Sequence, residues 1–340
     1  MDIFAQIRSM VWKHDTPLKT DLLPDPKFQS WHQFNPNSQH WDPVSPNENA
    51  EPPHADDTTS DLVLLTWNID AFAKRTQERI AEILTFITEL ESKVDVIFLQ
   101  EVSPRALGLI LADERTRGSW FSSEDENTPC GNSFTTMTLV SKTRFRSRLG
   151  SDMSGFALGP VWRVSFPSHF GRDVLFCDLF VPSSTDVSST RVRLANVHLD
   201  SLPIRPSHRP RQLSIVSSFL RSAGCGLVAG DFNPVLDEDA VLIESNGLTD
   251  AWVALHPEEP GYTWGADGKQ QFPPNRMDRI ALLGLKARQI EILEARQLED
   301  MDEEQNTQGD TEILESWETQ PTVTLWSDHH GLLCSFRLAE

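Results

Sequence analysis

Repeated short apolar runs limit the folds open to this chain more than any other feature of its sequence. The runs LVLLTWN at residues 62–68 and VDVIFLQEV at 94–102 have the length and composition of buried strands. Further strands are predicted at 137–140, 161–166, 174–181, 192–199 and 226–229, and from about residues 278, 286 and 332. Few helical segments separate them, and some connections are only hairpin-length. The sheets are therefore predicted to be mixed.

Two longer segments have the spacing of amphipathic helices. Residues 74–90 carry isoleucine and leucine at helical intervals, and residues 209–220 place Leu213, Val216 and Leu220 on one face. A short helix is predicted near 239–243. Because buried strands need cover on both faces of their sheet, we expect an α/β fold in which two mixed sheets pack together and helices lie outside.

The two ends of the chain differ from its middle. Residues 1–58 hold eight of the 22 prolines and show little helical or strand periodicity, so they are predicted to form a partly irregular N-terminal arm. The aromatic residues Trp31, Phe34 and Trp41 indicate that this arm packs on the domain at 59–340, or else binds a protein partner. An acidic stretch at about 298–320 is predicted to be a surface loop.

Charge and cysteine content narrow the class of protein. The net charge of −20 argues against broad non-specific binding to duplex nucleic acid, which depends on Lys and Arg. Much of this charge is local, since residues 291–318 contain eleven acidic residues and one arginine. The four cysteines are far apart, as in a reduced intracellular protein. With no signal sequence or long apolar segment, we expect a soluble, monomeric, nuclear or cytoplasmic protein without a membrane partner.

Polar side chains stand repeatedly at the ends of the predicted strands. Each such residue alone is more typical of a turn, a cap or a hydrogen-bonded core position. Their repetition favours convergence at one rim, where two carboxylates, amides and an acid–histidine pair would hold Mg²⁺ and a phosphate. Zinc would need more His or Cys at regular spacing. The residues concerned are Asn68, Asp70, Gln100, Glu101, Asn196, His198, Asp231, Asn233, Asp278, Asp328 and His329.

Six motifs in this order resemble the endonuclease/exonuclease/phosphatase superfamily: TWNID, LQEV, NVHLDS, GDFN, RMDRI and SDHHGL. The resemblance covers about residues 61–340 and is strongest to its 5′-tyrosyl-DNA phosphodiesterase branch. It implies a DNase I-like four-layer α/β sandwich, with two mixed sheets flanked by helices. The chain departs from that branch at Asp200, Phe232 and His330, where glutamate, threonine and tryptophan are usual.

The resemblance also implies a role for each matched residue. Glu101 and Asp70 would bind Mg²⁺, or alternatively Mn²⁺. Asp231, held by Asn233, would orient and deprotonate the attacking water, and His329 would stabilise charge on the phosphoryl oxygens. Asp278 would fix the tautomer of this histidine. The implied substrate-binding residues are Asn68, His198, Arg209 and Trp264.

The predicted function is Mg²⁺-dependent hydrolysis of a 5′-phosphotyrosyl-DNA bond, in the repair of trapped topoisomerase adducts. The predicted partner is a single-stranded or frayed DNA end that carries a 5′ adduct. One alternative is another metal-dependent nuclease or phosphatase of the same fold, acting on RNA ends, abasic DNA or a small phosphate ester. The other is a catalytically silent scaffold that binds partners through the same rim.

Overall fold

The computed structural model describes residues 24–44, 61–128, 133–147, 156–182, 189–268, 270, 272–298 and 324–339. The predicted acidic loop lies outside these residues apart from Leu298, as does most of the predicted N-terminal arm. None of the helices in the described ranges is both long and apolar enough to cross a membrane.

Short and medium-length strands dominate the described chain. In order, the strands are β1 (Lys27–Gln29), β2 (His32–Asn35), β3 (His40–Pro43), β4 (Leu62–Asn68), β5 (Val96–Val102), β6 (Trp120–Ser122), β7 (Thr135–Ser141), β8 (Ala157–Ser165), β9 (Asp173–Pro182), β10 (Ser189–His198), β11 (Gly226–Asp231), β12 (Thr249–Asp250), β13 (Asp278–Leu283), β14 (Leu285–Leu293) and β15 (Gly331–Leu338). The helices are α1 (Thr76–Glu89), α2 (Pro104–Ala112), α3 (Glu114–Ser119), α4 (Arg209–Ala223), α5 (Leu242–Ser245) and α6 (Ala251–Leu255). A 3₁₀-helix, Asp237–Val241, precedes α5.

The strands form two mixed sheets, as the sequence predicts. Within the described residues, the first sheet has the order β1-β8-β9-β10-β11-β13-β12 and the second the order β14-β15-β4-β5-β7-β6-β2-β3. Each contains one parallel pair, β10 with β11 and β4 with β5. The remaining neighbours are antiparallel, which the short connections allow.

Helices cover the outer face of each sheet. The apolar face of α1 packs through Ile80 and Ile83 into a cluster with Leu65 and Leu99 of the second sheet. On the first sheet, the predicted apolar face of α4 does the same: Leu213, Val216 and Leu220 share a cluster with Val197 and Val228.

A third apolar cluster fills the space between the two sheets. Its members include Phe98 and Cys334 from the second sheet and Leu194 and Leu227 from the first. The four layers are therefore helix, sheet, sheet and helix. This confirms the predicted DNase I-like sandwich.

The N-terminal segment at residues 27–43, here called the N-terminal bridge, adds strands to both sheets. β1 pairs with β8 of the first sheet, whereas the β2–β3 hairpin joins the second sheet through β6. Between them, Trp31 is fully buried and its Nε1–H donates to the Gly159 carbonyl at 2.9 Å. The aromatic residues of this segment predicted that it packs on the domain or binds a protein partner, but nothing predicted the strands, which are too short to show a period.

Replacing Trp31 with phenylalanine tests how firmly the N-terminal bridge holds. The change keeps an aromatic ring but leaves the buried Gly159 carbonyl without its indole donor. We expect the free energy of unfolding to fall by about 1–3 kcal/mol, measured by urea denaturation. An unchanged unfolding midpoint and slope would show that the indole hydrogen bond contributes nothing.

Candidate active site

Strand register brings the polar strand ends to one edge of the sandwich. In the first sheet, Asp231 lies opposite both His198 and Asp278 on the neighbouring strands. In the second sheet, Asn68 at the end of β4 pairs with Gln100 of β5. The sheets meet here, and the sequence-predicted convergence follows from the matching ends of adjacent strands.

Asn68 links the two sheets directly. Its side-chain Nδ2 donates to Asp231 Oδ2 at 3.1 Å and to Glu101 Oε1 at 3.3 Å. Its Oδ1 accepts the backbone N–H of Asp70 at 3.1 Å. A fully buried amide thus fixes one carboxylate from each sheet.

Asp231 lies at the centre of the cluster and is only 1% exposed. Its Oδ1 accepts the backbone N–H of Asn233 at 2.9 Å, and its Oδ2 lies 3.4 Å from His198 Nε2 and 4.0 Å from His329 Nε2. Burial, reinforced by the charge of Asp278, raises the pKa of Asp231 to about 7, against the opposing effect of His329. A carboxylate with such a pKa can accept a proton near neutral pH.

His329 and Asp278 form a buried acid–histidine pair. His329 Nδ1 lies 2.8 Å from Asp278 Oδ2, so Nδ1–H donates to the carboxylate and Nε2 faces Asp231. The pKa of His329 would be lowered by burial, but the charge of Asp278 and its hydrogen bond raise it well above the ordinary value. His329 is therefore the cationic member of the cluster.

His198 has the opposite electrostatic environment. Burial and the charge of Arg172 lower its pKa well below the ordinary value, so the ring is neutral. Its Nε2 lies 3.2 Å from Arg172 Nη2 and 3.4 Å from Asp231 Oδ2. A neutral ring nitrogen can accept from the guanidinium or donate to the carboxylate, but not both. His198 also stacks on Phe134, with ring centroids 5.6 Å apart.

Glu101 and Asp70 supply carboxylate oxygens on the second-sheet side. Glu101 Oε2 accepts the Ala71 N–H at 2.9 Å, and Asp70 Oδ1 accepts the N–H groups of Phe72 and Ala73 at 3.0 Å each. Burial raises the pKa of both carboxyl groups, and the charge of Asp328 raises it further. Carboxylates crowded in this way suit a hard divalent cation, which would favour their ionised forms.

Asp231, Asp278 and His329 form a second arrangement of groups that could hold a metal, with ligand atoms within 4.8 Å of one another. A histidine ligand must be neutral, and the raised pKa of His329 opposes loss of the proton that a metal at this nitrogen would displace. The oxygen donors around Glu101 are therefore the better fit for Mg²⁺ or Mn²⁺.

Backbone strain coincides with the predicted site. Among the described residues, six non-glycine residues have a positive φ, and three of them are predicted site residues. Their φ values are 52° at Asp70, 57° at Glu101 and 46° at Asn233. Asp and Asn adopt this left-handed conformation more readily than other non-glycine residues, whereas Glu101 bears its full steric cost, so the strained backbone at Glu101 is the observation that is typical of a functional site.

The structure places Trp264 at this edge but not Arg209. The Trp264 Nε1–H donates to Asp328 Oδ2 at 3.1 Å, directly beside His329. Arg209, by contrast, is 1% exposed: its Nε donates to Asp239 Oδ2 at 2.9 Å and its Nη1 to the Asp200 carbonyl at 2.8 Å. The predicted substrate contact from Arg209 is therefore wrong, because its guanidinium points inward from the first turn of α4.

A cavity of about 640 Å³, which no sequence pattern predicted, opens onto the site. Phe72, Phe134 and Phe170 line it together with Arg172, whose guanidinium lies 4.7 Å above the Phe134 ring. Arg172 also donates to Ser201 Oγ at 3.1 Å. It stands in a loop between β8 and β9, where no periodic pattern marks a functional residue.

The fold and the acid–amide–histidine cluster together define a DNase I-like class of phosphoester hydrolase. The chain belongs to the Endonuclease/Exonuclease/phosphatase family, whose sequence profile matches residues 65–337. Members of this family are hydrolases that act on phosphoester bonds. A comparison with curated proteins finds no match.

Several solved structures share the fold. D. rerio TDP2, complexed with single strand DNA product, has 20% identity and a TM-score of 0.58, over 82% of this chain and 100% of that one. Truncated C. elegans TDP2 has 22% identity and a TM-score of 0.57, over 82% and 98%. The human nocturnin catalytic domain with bound sulfate anion has 17% identity and a TM-score of 0.54, over 82% and 95%. At these identities the likeness establishes the fold.

Proposed function

We propose that this protein is a divalent-metal-dependent phosphodiesterase that hydrolyses a 5′-phosphotyrosyl bond at a DNA end. The observation that carries the proposal is the setting of Asp231, a buried carboxylate with a pKa of about 7 that faces the cationic His329. Asp231 Oδ2 and His329 Nε2 lie 4.0 Å apart, so a base and a cation can reach the attacking water and a phosphoryl oxygen of one phosphate, as phosphodiester hydrolysis requires.

Each residue contributes a separate part of the reaction. Asp231 Oδ2 takes a proton from water as the water oxygen attacks phosphorus, and the bond from phosphorus to the leaving oxygen breaks. His329 donates a hydrogen bond to a phosphoryl oxygen as negative charge grows there. Asp278 holds the His329 ring through Nδ1, so that His329 Nε2 stays directed at this oxygen. Glu101 and Asp70 would hold Mg²⁺ or Mn²⁺ together with waters, and the bound ion would neutralise part of the growing charge.

The chemistry of the leaving group favours a tyrosyl ester as the substrate. A phenol has a pKa of about 10, so its anion leaves without the general acid that a sugar alkoxide needs. Among the described residues, the cationic His329 already serves the phosphoryl oxygens, and the neighbouring carboxylates are better bases than acids. The chemistry thus favours an aromatic ester.

The cavity beside the site fits one end of a DNA strand. Its phenylalanine rings offer stacking surfaces for bases, each worth about 1–3 kcal/mol, and Arg172 offers a cation for a phosphate. Trp264 offers a further ring at the rim. D. rerio TDP2, which has the same fold, was crystallised with a single strand DNA product.

Monomeric state, nuclear or cytoplasmic location and a protein partner of the N-terminal arm remain predictions.

Release of tyrosine from an oligonucleotide with a 5′-phosphotyrosyl end tests the proposal. With Mg²⁺ we expect free tyrosine and a 5′-phosphate, and a chelator should lower the rate by at least about 10²-fold, because the cation supplies several kcal/mol. Mn²⁺ should restore the rate. Bis(p-nitrophenyl) phosphate serves as a generic diester: turnover of it without tyrosine release would reject the tyrosyl substrate and keep the phosphodiesterase. Inactivity on both would reject the phosphodiesterase itself.

A further inference from the structure

A second cluster of metal-ligating side chains lies outside the proposed catalytic machinery. His169, Asp200 and His208 each offer a ligand atom, and these atoms lie within 4.8 Å of one another. The residues come from three separate places: the loop between β8 and β9, the turn after β10, and the residue before α4.

The Asp200 carboxylate is held in the orientation of a ligand. Oδ1 accepts from Gln212 Nε2 at 2.8 Å and from Ser168 Oγ, and Oδ2 accepts the His169 backbone N–H at 2.9 Å. Supporting hydrogen bonds of this kind orient metal-binding carboxylates. Oδ2 keeps a second lone pair for a cation.

His208 presents a buried nitrogen that faces this carboxylate. Its Nδ1 is shielded from solvent, has no hydrogen-bond partner among the described residues, and lies 3.5 Å from Asp200 Oδ2. A buried nitrogen whose nearest acceptor makes no well-formed hydrogen bond is poorly satisfied, and a metal ion bound by both His208 Nδ1 and Asp200 Oδ2 would satisfy it.

His169 completes the group from the surface. Its ring stacks on His208 with centroids 4.1 Å apart and planes 5° apart. Metal–nitrogen bonds of about 2.0–2.1 Å would require these ligand atoms to move closer. His169 is exposed, so its ring is free to rotate towards the other two groups.

We propose that His169, Asp200 and His208 form a second metal site, which binds a zinc-class transition ion. Two imidazoles and a carboxylate suit zinc, whereas Mg²⁺ prefers oxygen ligands alone. Three protein ligands leave a fourth position for water. This site is distinct from the oxygen-donor site around Glu101.

A metal here would act on the cavity through the loop that carries His169. Ser168 Oγ hydrogen-bonds to Asp200 and accepts the backbone N–H of Arg172 at 3.0 Å. The Arg172 guanidinium in turn reaches His198 at 3.2 Å. The ion would therefore connect the β8–β9 loop, which positions Arg172, to the start of α4.

Calorimetric titration of the tag-free, chelator-treated full chain with Zn²⁺ tests this site. The titration uses a Glu101→Gln, Asp231→Asn background, because the catalytic cluster also offers ligands to zinc. We expect one zinc equivalent in this background. His208→Gln should weaken its binding by more than the about 10–100-fold typical of losing a supporting hydrogen bond. His169→Gln, at an exposed position, should weaken it without affecting folding.

His256→Gln is the matched control, since His256 is a half-buried histidine at the end of α6, away from the cluster. It should leave zinc affinity unchanged. Thermal unfolding without metal checks that each variant folds, and zinc should raise the unfolding temperature only where His169 and His208 are both present. Absence of zinc binding in the background would overturn the proposal, as would equal affinity in all three histidine variants.

Discussion

Replacing Asp231 with asparagine is expected to lower kcat by about 10²–10⁴-fold, the range for loss of a general base. Asparagine keeps the size of the side chain, and its one amide oxygen can accept from either the Asn233 N–H or the Asn68 amide, but it cannot accept the proton of the attacking water. The measurement is steady-state hydrolysis of the phosphotyrosyl oligonucleotide. Asp237→Asn, which removes an exposed carboxylate of the nearby 3₁₀-helix, is the control and should leave kcat unchanged.

The same substitution should not weaken the fold at neutral or higher pH. Burial raises the pKa of Asp231 from 3.8 to about 7, so the folded state binds the proton more tightly than the unfolded state. The stabilising contribution of this proton is complete below about pH 4 and is lost as the pH rises through about 7. In chelator, Asp231→Asn should therefore unfold at the same or a higher temperature than the unmodified protein at pH 8. This advantage should shrink at pH 5.

If the kcat of Asp231→Asn equals that of the unmodified protein, Asp231 is not the general base of the reaction. A large drop in unfolding temperature at pH 8 would instead assign Asp231 a mainly structural role. The two measurements thus distinguish a catalytic carboxylate from a carboxylate that only holds the strands together.

Replacing Asp278 with asparagine is expected to lower kcat by about 10²–10⁴-fold through its effect on His329, a loss known for other histidines deprived of their carboxylate partner. Asp278 is a positioning residue, since its Oδ2 holds His329 Nδ1 at 2.8 Å and the side chain itself is buried. An asparagine there can present its amide to Nδ1 and favour the wrong tautomer. The rate should be measured across a range of pH.

The pH profile separates this role from simple loss of structure. The charge and hydrogen bond of Asp278 raise the pKa of His329, so their removal should lower it. The alkaline limb of the rate profile, where His329 loses its proton, should then move to lower pH. A uniform drop in rate with an unmoved limb would mean that Asp278 only supports the fold.

The layers of the fold were predicted well because buried strands require continuous runs of apolar residues, which are visible in the sequence. The run LVLLTWN has the length of a strand covered on both faces, and β4 is such a strand. The N-terminal bridge contains no such run, and strands of three or four residues show no period. Helix α2 was missed for a different reason. Its sequence LGLIL is apolar on consecutive positions, and periodicity alone does not distinguish a buried helix from a strand.

The site was predictable where chemistry coincides with strand ends, and not elsewhere. Asp231, Asp278 and His198 meet because neighbouring strands end in register. Arg209 shows the limit of this reasoning, since position along the chain does not show which way a long side chain turns. Arg172 was missed because it reaches the site from a loop, and only its contacts with Phe134 and His198 reveal it.

The N-terminal bridge also determines what this protein shows to other copies of itself. A β-sheet edge is a row of unpaired N–H and C=O groups on which another chain can add a strand. β1 covers the β8 edge of the first sheet, and the β2–β3 hairpin covers the β6 edge of the second. One short segment therefore covers an edge of each sheet, and the outer strands that replace these edges, β1 and β3, have only three and four residues. Proteolytic loss of the N-terminal bridge would expose the unpaired edges of β8 and β6 at the same time, and each edge could then pair with a strand of another chain.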